Sequence, residues 1–247
     1  MDLTAPQIVF LCSLILCVAL LYSSVGHAGA SGYLGAMALC NLSPAIMKPS
    51  ALVLNILVAS IGTWRFASAK AIRWRLLAPF AVGSIPFAFL GGTVNLSATS
   101  YKLVLGLLLV YAAYRLAAQV PVAEAVTPLR HWALGVGLGA VIGFLAGLVG
   151  VGGGIFLSPL LLLRRWARAR ETAGISVAFI LANSLAGLLG HVIVVKALPT
   201  VVPVFAVCAM VGGFAGSTLG ARYLSFRNLR YLLAVVLAIA GIKLVVF

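Results

Sequence analysis

The chain has 247 residues, 64% of them hydrophobic and 8% charged, with a mean hydropathy of +1.21. So apolar a composition excludes a soluble globular domain, which has no interior large enough to hide it. The formal net charge of +14 is spread in short clusters between apolar runs, which excludes a polar nucleic-acid-binding face and reads as topology signals beside anionic lipid.

Breaks at proline, glycine and charge divide the sequence into ten apolar segments, at about 7–25, 28–46, 50–68, 77–97, 101–119, 131–149, 152–163, 173–195, 201–221 and 229–246. Most approach the roughly 20 residues that carry a helix across about 30 Å of hydrocarbon. The first is read as a helix that stays rather than a signal peptide, because Met1-Asp2 supplies no basic leader and no small-residue cleavage site opens into a soluble chain. The second and seventh are short or interrupted, and each follows a glycine-rich break. The most polar connection, "QVPVAEAVTPLR" from Gln119 to Arg130, falls near the middle. The expected division is a first transmembrane repeat over 1–119, a cytoplasmic linker over 120–130 and a second repeat over 131–247. Cys12, Cys17, Cys40 and Cys208 all lie in apolar runs without CxxC spacing, as packing residues do.

The two halves resemble each other. "LYSSVGHAGA" (Leu21 to Ala30) lies over "LAGLVGVGGG" (Leu145 to Gly154), "LNILVASIG" (Leu54 to Gly62) over "ANSLAGLLG" (Ala182 to Gly190), and "FAVGSIPFAFLGGT" (Phe80 to Thr93) over "FAVCAMVGGFAGST" (Phe205 to Thr218). Asn55 thereby pairs with Asn183 and Gly62 with Gly190. Charge then orients the repeats. Arg65, Lys70, Arg73, Arg75, Arg115, Arg130, Arg164, Arg165, Arg168, Arg170, Arg222, Arg227 and Arg230 cluster at four junctions, leaving Lys48, Lys102, Lys196 and Lys243 for the rest. Lysine and arginine concentrate on cytoplasmic loops. If the large group is inside, the third segment runs inward and its partner, the eighth, outward. The predicted fold is therefore all-α and polytopic, with two inverted repeats of five segments, each with a broken or short second segment, and both termini periplasmic. A re-entrant second segment returning to its own side would instead give four crossings per half and parallel repeats.

A run of about 12 residues spans only some 18 Å as helix, so the seventh segment must share its crossing with non-helical backbone. Unwound backbone at membrane depth is tolerated where it lines protein or water, and repeated broken helices mark central substrate sites in transporters. All three acids, Asp2, Glu124 and Glu171, fall at a terminus or a loop, which argues against a cation carrier or a carboxylate proton relay. The remaining polar groups are neutral donors and imidazoles, suited to a small oxyanion. The candidate substrate-binding residues are Ser24, His27, Gly29, Ser31, Asn55, Gly152, Gly153, Gly154, Asn183 and His191. Each also has a structural reading: glycines for close helix packing, asparagines as helix ties, His27 as an interfacial histidine in place of an anion ligand or proton carrier. Arg65 reads as a snorkelling topology residue. There is no HExxH, GxSxG, intramembrane acid pair or GxxxxGK[ST], so neither an enzyme nor an ATP-driven pump is expected, and no cofactor or metal. The expected partners are a small anion and the lipid bilayer, with room for a homo-oligomer and none for nucleic acid.

"GLVGVGGGIFLSPLLL" (Gly147 to Leu162), followed by a basic loop and "ETAGISVAFILANSLAGLLGHV" (Glu171 to Val192), resembles the sulfite exporter TauE/SafE family, also called the toluene sulfonate uptake permeases. "KPSALVLNILVASIGTWRFASAKAIRWRLL" (Lys48 to Leu77) is similar to the same family in the first half. "SVGHAGASGYLGAMALCNLSP" departs from its pattern, with His27, Ala28 and Ala30 where glycine is usual. The resemblance implies export or uptake of sulfite, sulfoacetate, other organosulfonates or related sulfur anions across a bacterial-type inner membrane. The alternative is a carrier or channel for a different small anion.

Overall fold

The structure, a computed structural model, describes residues 4–24, 27–118, 127–129, 131–195, 199–219 and 226–246. The described residues form helices and no strands: α1 (Ala5–Ser24), α2 (Ala30–Leu39), α3 (Pro44–Ser68), α4 (Trp74–Thr93), α5 (Ala98–Ala117), α6 (Trp132–Val149), α7 (Gly154–Leu163), α8 (Ala169–Val195), α9 (Val202–Leu219) and α10 (Phe226–Val246). They follow the ten apolar segments of the sequence. Most of the linker expected at 120–130, together with Asp2, Glu124, Arg130, Lys196 and Arg222, lies outside the described residues. The clear shift in boundary is between the second and third segments: the second was expected to run to residue 46 but ends at Leu39, and the third, expected from 50, begins at Pro44. Asn41 takes a left-handed conformation (φ 58), which asparagine tolerates better than most residues. Pro44 then opens α3, where its missing N–H costs nothing.

Burial is inverted relative to a soluble protein. Asn55, Asn183 and Ser184 are wholly buried, whereas Phe10, Leu107, Val141, Ile193, Val207 and Phe214 face outward. Outward apolar side chains and an inward polar minority are what a hydrocarbon solvent selects. By length and composition α1, α3, α4, α6 and α8 each suffice to cross a bilayer. The 10-residue α2 and α7 do not, at about 1.5 Å of rise per residue.

Helix directions follow from which residues touch. Phe80, Ser84 and Ala88 of α4 meet Gly139, Gly143 and Gly147 of α6 in ascending order, so these two helices run parallel. Leu16 and Leu20 of α1 meet Gly212 and Gly216 of α9 in the same sense. At these contacts an added Cβ would strike the opposing backbone carbonyl, so the close approach of the helices requires glycine. α3 and α8 are antiparallel: Asn55 lies against Ser184 and Gly62 against Val177.

The arginine-rich junctions meet at one end of the bundle. Arg73, after α3, donates to the Trp166 carbonyl (3.1 Å) and lies 3.6 Å from Glu171 at the start of α8. Thr127 bonds the carbonyls of Arg164 and Arg165. Exposed Trp64, Trp74, Tyr114, Trp132 and Tyr231 sit at helix ends beside these junctions, like the aromatic belt of a membrane interface. Arg65 stacks over Phe214, 5.1 Å from its ring centre, consistent with a snorkelling role. At the opposite end, Lys243 caps α2 through the Leu39 carbonyl (2.7 Å).

Candidate functional site

Two helix breaks reach the middle of the bundle. In the second half, Gly150 (φ 88), Gly152 (φ 77) and Gly153 (φ 84) take left-handed backbone that L side chains adopt only at a cost, and Gly153 is the N-cap of α7. In the first half, Gly29 (φ 98) is the N-cap of α2. The sequence overlay had matched these two glycines, and both adopt the same conformation at the same place. Helix N-termini carry N–H groups without intrahelical acceptors and a partial positive charge.

The second break lies directly on the α3/α8 seam. Gly150 abuts the Lys48 carbonyl, and a Cβ on Gly152 would come within 3.0 Å of both Asn55 Nδ2 and Ser184 Oγ. Asn55 Nδ2 donates to Ser184 Oγ at 3.4 Å, while Asn55 Oδ1 has no partner among the described residues. Asn183, the neighbour of Ser184, is fully buried with neither amide atom partnered among those residues. A buried amide without a partner costs on the order of 1–3 kcal/mol, so these unsatisfied atoms ask for an explanation. Gly154 packs on Ile180, and Gly153 against Phe179 and Ile142, so these two serve the fit of α7 against its neighbours.

His27 follows the break after α1 and joins a second polar group. Its Nε2 lies 2.9 Å from Ser158 Oγ of α7, and Ser158 Oγ lies 2.7 Å from Ser176 Oγ of α8. This line ties the first break to the second half. His191 lies elsewhere, two turns beyond Asn183 on α8, buried with both ring nitrogens unpartnered among the described residues. Ser31 is turned to α1, where it shares a 2.8 Å hydrogen bond with Tyr22, and is thereby satisfied structurally. Ser24 ends α1, and its side chain falls outside the described residues. The structure thus brings together Asn55, Ser184 and Gly152, and groups His27 with Ser158 and Ser176; it gives Ser31 a packing partner.

Two residues outside the candidate set have notable positions. Tyr33 is buried under Gly29 with its hydroxyl unpartnered among the described residues; one α-turn from the break, it was legible by spacing. Lys48, read as a loop charge, is buried within α3. Its position seven residues before Asn55, two turns along the same helix face, was the available signal.

Fold and site define an α-helical multi-pass membrane protein with a buried, neutral polar centre at paired helix breaks. The family model described as "Sulfite exporter TauE/SafE" matches residues 11–244. The chain is also 42% identical over 233 residues, covering 92% of its own length and 94% of the relative's, to a protein of Sinorhizobium fredii named "Probable membrane transporter protein y4hK". No solved structure matches. The chain belongs to the sulfite exporter TauE/SafE family and is a membrane transporter of that family.

Proposed function

We propose that the protein is a secondary transporter that exports a small sulfur-containing oxyanion, such as sulfite, sulfoacetate or a related organosulfonate, across the inner membrane by alternating access. The observation that carries this reading is a buried polar seam: Asn55 and Ser184 against Gly152, and next to Ser184 on α8 the wholly buried Asn183, neither of whose amide atoms has a partner among the described residues. Amide N–H donors and glycine backbone near two helix N-termini hold an oxyanion by several weak hydrogen bonds and release it again. Among the described residues no acid belongs to this centre: Glu171 pairs with Arg73 at the arginine-rich end, and in sequence Asp2 and Glu124 fall at a terminus and in the linker.

The two halves, α1–α5 and α6–α10, act as inverted repeats in this reading. Support comes from the antiparallel contact of α3 with α8, which the sequence overlay makes equivalent, and from the meeting of Arg73 with Trp166 and Glu171. The arginine-rich end is then cytoplasmic, with both termini periplasmic. A dianion leaving a cell that is negative inside gains about 2.3 kcal/mol per charge per 100 mV, so export needs no ATP.

The test is flux from proteoliposomes loaded with sulfite, sulfoacetate, sulfate or chloride under an imposed potential. Saturable efflux of a sulfur oxyanion, lowered at least about tenfold by Asn183→Ala, is expected from the loss of hydrogen bonds to a charged ligand. Equal flux of chloride and sulfur anions, or an unaffected Asn183→Ala variant, would count against it.

A further inference from the structure

The α3/α8 seam continues past Asn55 and Ser184. The contacts of Gly62 with Val177 and of Asn55 with Ser184 set an antiparallel register in which steps of seven residues match on the two helices. The next such step brings Lys48 level with His191, about 10 Å from the Asn55 contact and away from the arginine-rich end.

Lys48 is 5% exposed, and its ammonium donates to the carbonyls of Gly91 (3.3 Å), Gly92 (2.9 Å) and Val94 (3.1 Å). These are terminal acceptors of α4, the negative end of its dipole, which explains how a lysine is held there. It does not explain His191. That ring is 3% exposed with neither nitrogen partnered among the described residues. Its chain neighbour Gly190 packs on the Phe89 carbonyl and on Gly92, the same last turn of α4 that Lys48 caps. A buried cation beside an imidazole with open nitrogens, with no carboxylate among the described residues of that region, is complementary to an anion.

We propose that Lys48 and His191 form a second anion-binding station on the outer side of the central site, where the departing oxyanion is held before release. The proposal rests on the oxyanion reading above. The ammonium attracts the anion while staying on its carbonyls, and an imidazole N–H donates to it. The negative end of α4 opposes tight capture, so the station is weak enough to leave, as successive sites along a conduction path must be. The inner side differs. The offset that pairs Asn55 with Asn183 pairs Lys48 with Ser176 and His191 with Thr63, so the corresponding inner positions carry neutral hydroxyls, of which Ser176 joins Ser158 and His27. A charge buried on the outer side of the seam, where the inner side carries its charges at loops and helix ends, makes affinity depend on the face from which the anion arrives.

The experiment measures half-saturating concentration separately from each face in oriented vesicles, using sulfite, sulfoacetate and sulfate. Lys48→Gln and His191→Ala are each expected to raise it about tenfold from the face opposite the arginine-rich loops, and less than about twofold from the other. His191 caps no helix, so a shift in Lys48→Gln without one in His191→Ala overturns the station, as does an equal rise on both faces or no rise. Should Lys48→Gln not fold, His191→Ala decides alone. Asn183→Ala distinguishes the two readings: if it changes neither face while the outer-face shifts persist, the central site fails and the outer station stands. Wild-type protein without saturable flux of any of these anions overturns both.

Discussion

If Asn183 binds substrate as proposed, its stability effect and its functional effect point in opposite directions. It is wholly buried and makes no hydrogen bond among the described residues, so the fold carries its desolvation cost without return. Replacement by leucine, apolar and branched like asparagine with the same number of heavy atoms, removes that cost. Asn183→Leu is therefore expected to melt higher than wild type, by about 1–2 kcal/mol of stability, while losing transport. Thermal unfolding in detergent, measured beside flux, checks it. A variant that melts lower would show that the amide is bonded in the working protein and serves the fold. Ser31 gives the opposite expectation: its bond to Tyr22 joins α1 to α2, so Ser31→Ala should cost about 1 kcal/mol and leave substrate affinity unchanged, as the same two assays would show.

At the scale of elements, the helices were legible because hydropathy and breakers agree over whole segments, and the glycine breaks because Gly29 and Gly153 occupy matching positions in the two halves. Their partners were not legible. Whether Ser31 faces a site or Tyr22, and whether Lys48 sits in a loop or caps α4, depends on contacts between helices far apart in sequence, such as Lys48 with Gly92. Composition also hides which glycines bend the chain and which let helices touch, since Gly147 and Gly152 look alike in sequence. The structure separates them. Gly147 is helical and its Cβ would strike the Ala88 carbonyl, whereas Gly152 has φ 77 and side chains as its nearest neighbours. Gly147→Val must push α6 from α4 and is expected to lower the yield of folded protein sharply. Gly152→Ala pays a left-handed backbone cost of about 1–2 kcal/mol and presses on Asn55 and Ser184, so folded protein with impaired flux is expected. Size-exclusion profiles together with flux separate the two; a misfolded Gly152→Ala with intact Gly147→Val would reverse the assignment.

For the whole molecule, the proposed alternating access rests on opposed halves, and the strongest check is topological. Arg73 touches Trp166 and Glu171, so the junction after α3 and the one before α8 share an end. Four crossings per half would put these junctions on opposite faces, because α8 would then begin on the side where α3 begins. Single cysteines at Lys70, Arg168 and Lys102, in a background with Cys12, Cys17, Cys40 and Cys208 replaced by alanine, distinguish the cases with a membrane-impermeant thiol reagent. The first two should label from the cytoplasmic side and Lys102→Cys, at the start of α5, only from the outside. Labelling of Lys70→Cys and Arg168→Cys from different faces would remove the inverted relation, and with it the reason for placing Lys48 and His191 outward of the central amides. Agreement leaves an uneven pair of halves, related in fold but with a buried charge on the outer side of the seam, and that asymmetry gives an otherwise symmetric carrier a basis for treating the two faces differently.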